Sequence, residues 1–284
     1  EGKWIISSIT LSMCILSIFY SLSLPNIYES NALLAANASS NNTASTLQNY
    51  SGLANLAGIS LPSRSDDSNL PKAMEKIKSL SFFENNILPN IYLPELMAVD
   101  SWNPKDNTIK FDKNIFDNSS KAWVRDVSAP YKKKPSPQES FKVFQEKMSV
   151  SQDLKTGFVS LKIKHQSPYV AKKWVELIVS EINSFYTNKD ELEAKLAVNY
   201  LSAEMATTNY AEIKEVMAQL MQQEIQKLTL IEANESYIFD FIDPPAVMEI
   251  KAEPKRALIC FIGGIIGIFL GLTTVLINHF MRKN

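Results

Sequence analysis

The pattern of apolar and polar positions divides this chain into three parts. Trp4 to Tyr28 is a run of 25 residues without Asp, Glu, Lys or Arg, and Ala257 to Met281 is another of 25. At ~1.5 Å rise per residue each run makes a helix of ~37 Å, enough to cross a hydrocarbon core of ~30 Å with some tilt. The first run is too long for the apolar region of a signal peptide, and no A-x-A-like site follows it. Residues 4–28 and 257–281 are therefore expected to be transmembrane helices. Residues 29–256 are expected to fold as one domain outside the bilayer.

Inside that domain the period changes from segment to segment. Ile27 to Ala35 is apolar enough for a strand as the chain leaves the first span. Val159, Leu161 and Ile163 alternate with Ser160, Lys162 and Lys164, which predicts a strand with one buried face. It follows a strand at 148–151 across a turn through Asp153 to Gly157. From Tyr169 to Asp243 no Gly or Pro occurs over 75 residues. Ser167-Pro168 is a cap followed by Pro at the first helical position, and Ala171, Trp174, Leu177, Ile178, Ile182 and Phe185 then recur at helical spacing.

A second helical pattern runs from about 190 to 236, with its weakest stretch at Thr207-Thr-Asn209. Uninterrupted, it would span ~70 Å, so part of it must project from the domain. A projecting apolar stripe needs a partner, which predicts subunit contacts along Ile213, Met217, Leu220 and Ile225. Tyr237 to Ile242 reads as a returning strand. Pro244 and Pro245 end it, Pro254 precedes the second span, and these prolines mark a membrane-proximal turn. The strands leaving and approaching the two spans are expected to pair near the membrane surface.

The second span holds four of the eight glycines. Gly263, Gly267 and Gly271 lie four apart on one helix face, with Gly264 beside them. Small residues at this spacing let helix backbones approach closely. The first span offers Ser8, Ser12 and Ser17 as a matching small surface, and a membrane-embedded partner is the alternative. Gly267→Leu is therefore expected to disturb function while sparing the outer domain.

Composition narrows the function. Residues 29–256 keep 29 acidic and 26 basic side chains, a formal charge of −3 and no footprint for nucleic acid. Both cysteines, Cys14 and Cys260, sit in the spans, so the domain has neither a disulfide framework nor a Cys metal site. Its one histidine, His165, reads as a packed or surface residue rather than a ligand. There is no G-x-S-x-G, H-E-x-x-H or phosphate-cradling loop, so no catalytic residue, metal or cofactor is expected and the chain is read as a non-enzyme. Lys132-Lys-Lys134 between prolines reads as a solvated loop, with an anion or lipid-headgroup contact as the alternative. Lys3, Arg282 and Lys283 favour cytoplasmic termini, and Lys255 and Arg256 beyond the second span oppose this weakly, because large domains translocate regardless of charge. Glu1 rather than Met at the start suggests a longer native N-terminus.

Several segments, in order, resemble the polysaccharide co-polymerases, the Wzz-type chain-length determinants. They are Tyr28-Glu-Ser-Asn-Ala-Leu-Leu34, Gly52 to Pro62, Ser149-Val-Ser-Gln-Asp153 with Thr156-Gly157, and His165-Gln-Ser-Pro-Tyr169 with Ala171 and Trp174. Ile242-Asp-Pro244, Pro254-Lys-Arg256 and the glycine-rich span complete the set. The resemblance implies an α+β periplasmic domain with a membrane-proximal sheet and a long projecting helix, flanked by two transmembrane helices in the bacterial inner membrane. It implies a homo-oligomeric ring that acts with a membrane glycan polymerase on a lipid-linked polysaccharide such as O-antigen and sets its length. The stretch between Pro245 and Pro254 is poorer in proline than the family's, carrying Val247, Met248 and Ile250. The alternative is the outer domain of a two-span sensory receptor.

Overall fold

The computed structural model describes residues 2–36, 69–234 and 236–283. The segment Gly52 to Pro62 and the Ser- and Asn-rich stretch before it lie outside the described residues. Helix α1 (Gly2–Ser23) is followed by strand β1 (Tyr28–Ala36). Helix α2 (Asn69–Ile77) and a short helix α3 (Leu80–Phe82) come next. The latter is capped by the Ser79 hydroxyl on the Phe82 N–H and passes into a π turn, Phe83–Ile87. Helix α4 (Leu93–Met97) precedes two small hairpins, β2 (Val99–Asn103) with β3 (Thr108–Phe111) and β4 (Phe116–Asp117) with β5 (Ala122–Trp123). Then come α5 (Pro137–Lys147), β6 (Met148–Gln152), β7 (Val159–His165), α6 (Pro168–Thr207), α7 (Ala211–Ala233), β8 (Phe239–Asp243) and α8 (Arg256–Lys283).

The main sheet has the order β6-β7-β1-β8, with every neighbouring pair antiparallel. Along β7 the alternation seen in the sequence becomes alternating burial: Val159, Leu161 and Ile163 are fully covered and the residues between them are not. The covered face meets α6, whose Trp174, Ile178 and Ile182 are fully buried. Phe82, Phe83 and Phe144 close the core from the other side, with the Phe83 and Phe144 rings 4.9 Å apart. Each such side chain stabilises the fold by about 1.5–3 kcal/mol through burial.

The helical region differs from the expected boundaries. Instead of one helix near 169–187 and a second at 190–236, α6 runs unbroken for 40 residues, ~60 Å, and α7 follows for 23. The join at 188–190 stays helical because no breaker occurs there. Asp190 is buried and accepts a hydrogen bond from the Tyr237 hydroxyl at 2.7 Å. The interruption falls at 208–210, where Thr and Asn have poor helix propensity. There the chain doubles back. Lys227 of α7 lies 3.7 Å from Asp190 of α6, so the two helices form an antiparallel hairpin.

Both α1 and α8 are long and apolar enough to cross a membrane. A soluble core helix would bury its apolar stripe, but only 6% of one span and 17% of the other is buried. Leu11, Leu16, Phe19, Phe261, Ile265 and Phe269 all stand exposed.

Candidate functional site

The two spans pack against each other along the glycine face. A Cβ added at Gly267 would lie 2.9 Å from the Thr10 Cα and 3.0 Å from the Met13 Cβ, and one at Gly271 would lie 2.9 Å from the Ile6 Cα. At Gly263 the neighbour is Ser17, at 2.5 Å. Contacts this close exist only because these positions lack side chains. Gly264 is looser, its nearest neighbour being Cys14 Sγ at 3.6 Å. Of the small residues expected to face the glycines, Ser17 does so. Ser8 and Ser12 do not: both are exposed on α1, with the Ser12 hydroxyl donating to the Ser8 carbonyl. The face is made by Ile6, Thr10, Met13 and Ser17. Their 4-3-4 spacing was legible, but small size alone pointed to the wrong rotation of the helix.

Where the spans end, the sheet begins. The Ile27 N–H donates to the Glu253 carbonyl at 2.9 Å, so the strand leaving α1 and the segment approaching α8 are joined at the sheet's base. Pro245 is buried and Pro244 exposed in that segment, and the Ser30 hydroxyl holds it by donating to the Ala246 carbonyl. Two ion pairs cross the base, Lys164 to Glu253 at 2.6 Å and Lys162 to Glu29 at 3.2 Å. Beside them the Lys251 Nζ and an Arg256 Nη both donate to the Asn26 Oδ1, each at 3.2 Å. Nothing in the sequence reading singled out Asn26, because a lone Asn after a span carries no spacing signal.

His165, at the end of β7, is buried. Its Nδ1 accepts the Ser167 N–H and its Nε2 donates to the Glu95 carbonyl at 2.8 Å, tying the start of α6 to α4. Burial, aided by the Lys147 charge, pushes its pKa down to about 4. It stays neutral and structural near pH 7.

The basic loop is shaped by Arg125, which is bidentate to Glu139 at 2.9 and 3.0 Å and also donates to the carbonyls of Lys132 and Lys133. These bonds hold the Glu139 carboxyl below the usual range. The lysines themselves are exposed, beside a cavity of about 720 Å³ lined by Leu88, Tyr131, Pro135 and neighbours.

The four residues expected to make subunit contacts do not share one environment. Ile213 and Ile225 are exposed, whereas Met217 and Leu220 are half-buried in the hairpin. A second exposed row, Leu192, Leu196 and Tyr200, runs along α6. Among the described residues no group of three His, Cys, Asp or Glu is placed to hold a metal.

No protein-family profile and no curated protein matches this sequence. Among solved structures the chain is similar to a full-length bacterial polysaccharide co-polymerase, at 11% identity and a TM-score of 0.41, over 99% of this chain and 95% of that one. It is also similar to a fragment of WzzB, a polysaccharide co-polymerase from Salmonella Typhimurium, at 12% identity and a TM-score of 0.34, over 80% of this chain and all of the fragment.

Proposed function

We propose that this chain is a non-catalytic regulator of polysaccharide chain length, a co-polymerase that assembles into a ring and acts on a membrane glycan polymerase handling a lipid-linked, O-antigen-like chain. It sits in the bacterial inner membrane with both termini cytoplasmic and residues 29–256 in the periplasm. The observation that carries this reading is the convergence of the segments on which the sequence resemblance rests. Residues 28–34, 149–152, 165 and 242–243, far apart in the chain, lie in the four adjacent strands of one sheet. Pro254 to Arg256 joins that sheet to the second span.

The chemistry agrees with a regulator. Two buried polar side chains at the base, His165 and Ser30, are engaged in hydrogen bonds that hold backbone. The apolar rows on the hairpin suit contact with further copies, because one chain leaves them in solvent. The test is to delete the gene in its host and resolve the surface polysaccharide by size. Loss of a preferred length, restored by the wild-type chain, is the expected result, and an unchanged ladder would refute the proposal. Gly267→Leu, expressed at wild-type level, is expected to shift the restored length, since the added side chain would separate the spans.

A further inference from the structure

Among the described residues, none supplies a counterion to the cationic cluster where the spans meet the sheet. The Lys251 Nζ and an Arg256 Nη both donate to one neutral acceptor, the Asn26 Oδ1, each at 3.2 Å. The two nitrogens are therefore no more than twice that distance apart. Two positive charges this close repel unless an anion lies between them. Among the described residues no acid comes within 4.0 Å of either. Glu253, the acid beside them in sequence, is engaged by Lys164 at 2.6 Å. Arg256 also keeps its Nε buried without a partner among the described residues, so the guanidinium has donor capacity that they do not use.

The position tells what the anion would be. Asn26 lies between the end of α1 and the start of β1, and Arg256 is the first residue of α8. If the two helices span a bilayer, as the proposed function requires, this cluster sits at the depth of the lipid phosphates on the side of the sheet. We infer that Asn26, Lys251 and Arg256 form a phosphate-group site that takes the phosphate of an anionic membrane lipid. The Arg256 guanidinium, one Nη of which is held by Asn26, and the ammonium beside it match a tetrahedral oxyanion presenting two oxygens. The Asn26 amide holds the two cations in register until that oxyanion arrives. Bound there, one lipid would neutralise the seam between the spans and the domain and fix the depth at which the sheet rides on the bilayer.

The full-length chain is purified from membranes in an uncharged detergent and exchanged with vesicles of phosphatidylcholine, with or without an equal part of phosphatidylglycerol. Lipid retained per chain is counted by native mass spectrometry. The wild type is expected to keep phosphatidylglycerol in preference to phosphatidylcholine. Lys251→Gln with Arg256→Gln is expected to weaken that preference roughly tenfold or more, since two charge-assisted contacts are lost. Asn26→Asp removes no cation but supplies an internal anion, and is expected to weaken it as well. Arg256→Lys, which keeps the charge, should retain most of it. A parallel arm adds inorganic phosphate alone. Displacement of the lipid at millimolar phosphate would assign the site to the free anion, and no displacement assigns it to the lipid headgroup. Equal retention by the wild type and the double Gln variant would overturn the site. So would an equal loss in Lys132→Gln with Lys134→Gln, which would make the effect one of general surface charge. The polysaccharide ladder is read separately, so the lipid site and the regulatory role stand or fall independently.

Discussion

The two halves of α6 carry the same apolar periodicity and meet opposite environments. Up to Tyr186 the stripe of Ala171, Trp174, Val175, Ile178 and Ile182 is fully buried against the sheet and the Phe82–Phe83 turn. Beyond Asp190, Leu192, Leu196 and Tyr200 continue at helical spacing with 60–67% of their surface exposed. Amphipathic period reports that a face wants covering, but not by what. The first half is covered within the chain. The second reaches past the end of the sheet, where only Ala194 finds complete cover. Stability should therefore reside in the first half and association in the second.

The sharpest way to break this contrast is Trp174→Ala. Trp174 packs edge-on to His165 at 5.1 Å and lies 6.0 Å from the Phe144 ring, with no exposed surface. Removing it should cost about 3–5 kcal/mol, read from denaturant melts of the purified chain. A cost below ~1 kcal/mol would mean that this half is not the core.

Next in size is an effect of pH on the same half. His165 titrates at about 4 in the folded chain, against 6.5 for the ordinary side chain. Between these values the unfolded chain binds more protons, so stability falls as pH drops. His165 therefore leaves stability untouched above about 6.5, erodes it from there down to about 4, and takes no more below. The total is roughly 3 kcal/mol for a shift of this size. His165→Asn should flatten the pH dependence of stability over that window while lowering stability at pH 7.

Asn183 stands near the boundary between the halves. Its side chain donates to the Phe239 carbonyl and accepts the N–H groups of Ile238 and Phe239, all at 2.9 Å and all buried. Asn183→Ala should cost about 2 kcal/mol, because three backbone groups lose their partner. Faster hydrogen exchange at Ile238 and Phe239, with the far hairpin unaffected, would place the loss at this clamp.

Local patterns were legible in the sequence and long-range choices were not. The alternation of Val159, Leu161 and Ile163 specified β7 and its buried face, since a period of two admits one burial pattern. Thr207-Thr-Asn209 marked the helix break through propensity. The pairing of β1 with β8 followed from the strands that leave and approach the spans, but the place of β7 on the other edge of β1 was not readable, because that pairing joins segments more than a hundred residues apart. The spans show the same divide. The glycine spacing identified a packing face on α8, yet the opposing residues on α1 depended on a helix rotation that side-chain size alone does not fix. Asn183 and Asn26 gave no signal at all, since each acts on backbone or cations brought to it by the fold.

The smallest expected effect on stability falls on the exposed half, and it tests what that half is for. Leu196 and Tyr200 lie one turn apart on α6, at 60% and 67% exposure. In an isolated chain Leu196→Glu with Tyr200→Glu should change stability by less than ~0.5 kcal/mol, because little contact is lost and the new charges remain in water. In an assembly the same charges would be buried without partners, at a cost of several kcal/mol per interface. The double variant is therefore expected to melt like the wild type and to run at lower mass in detergent. Ile213→Glu with Ile225→Glu, on the other helix of the hairpin, separates the two exposed rows. If only the α6 pair lowers the mass, the interface lies along Leu192, Leu196 and Tyr200. If only the α7 pair does, it lies where the helical spacing of Ile213 and Ile225 placed it. Full mass retained by both variants would show that neither row meets another copy.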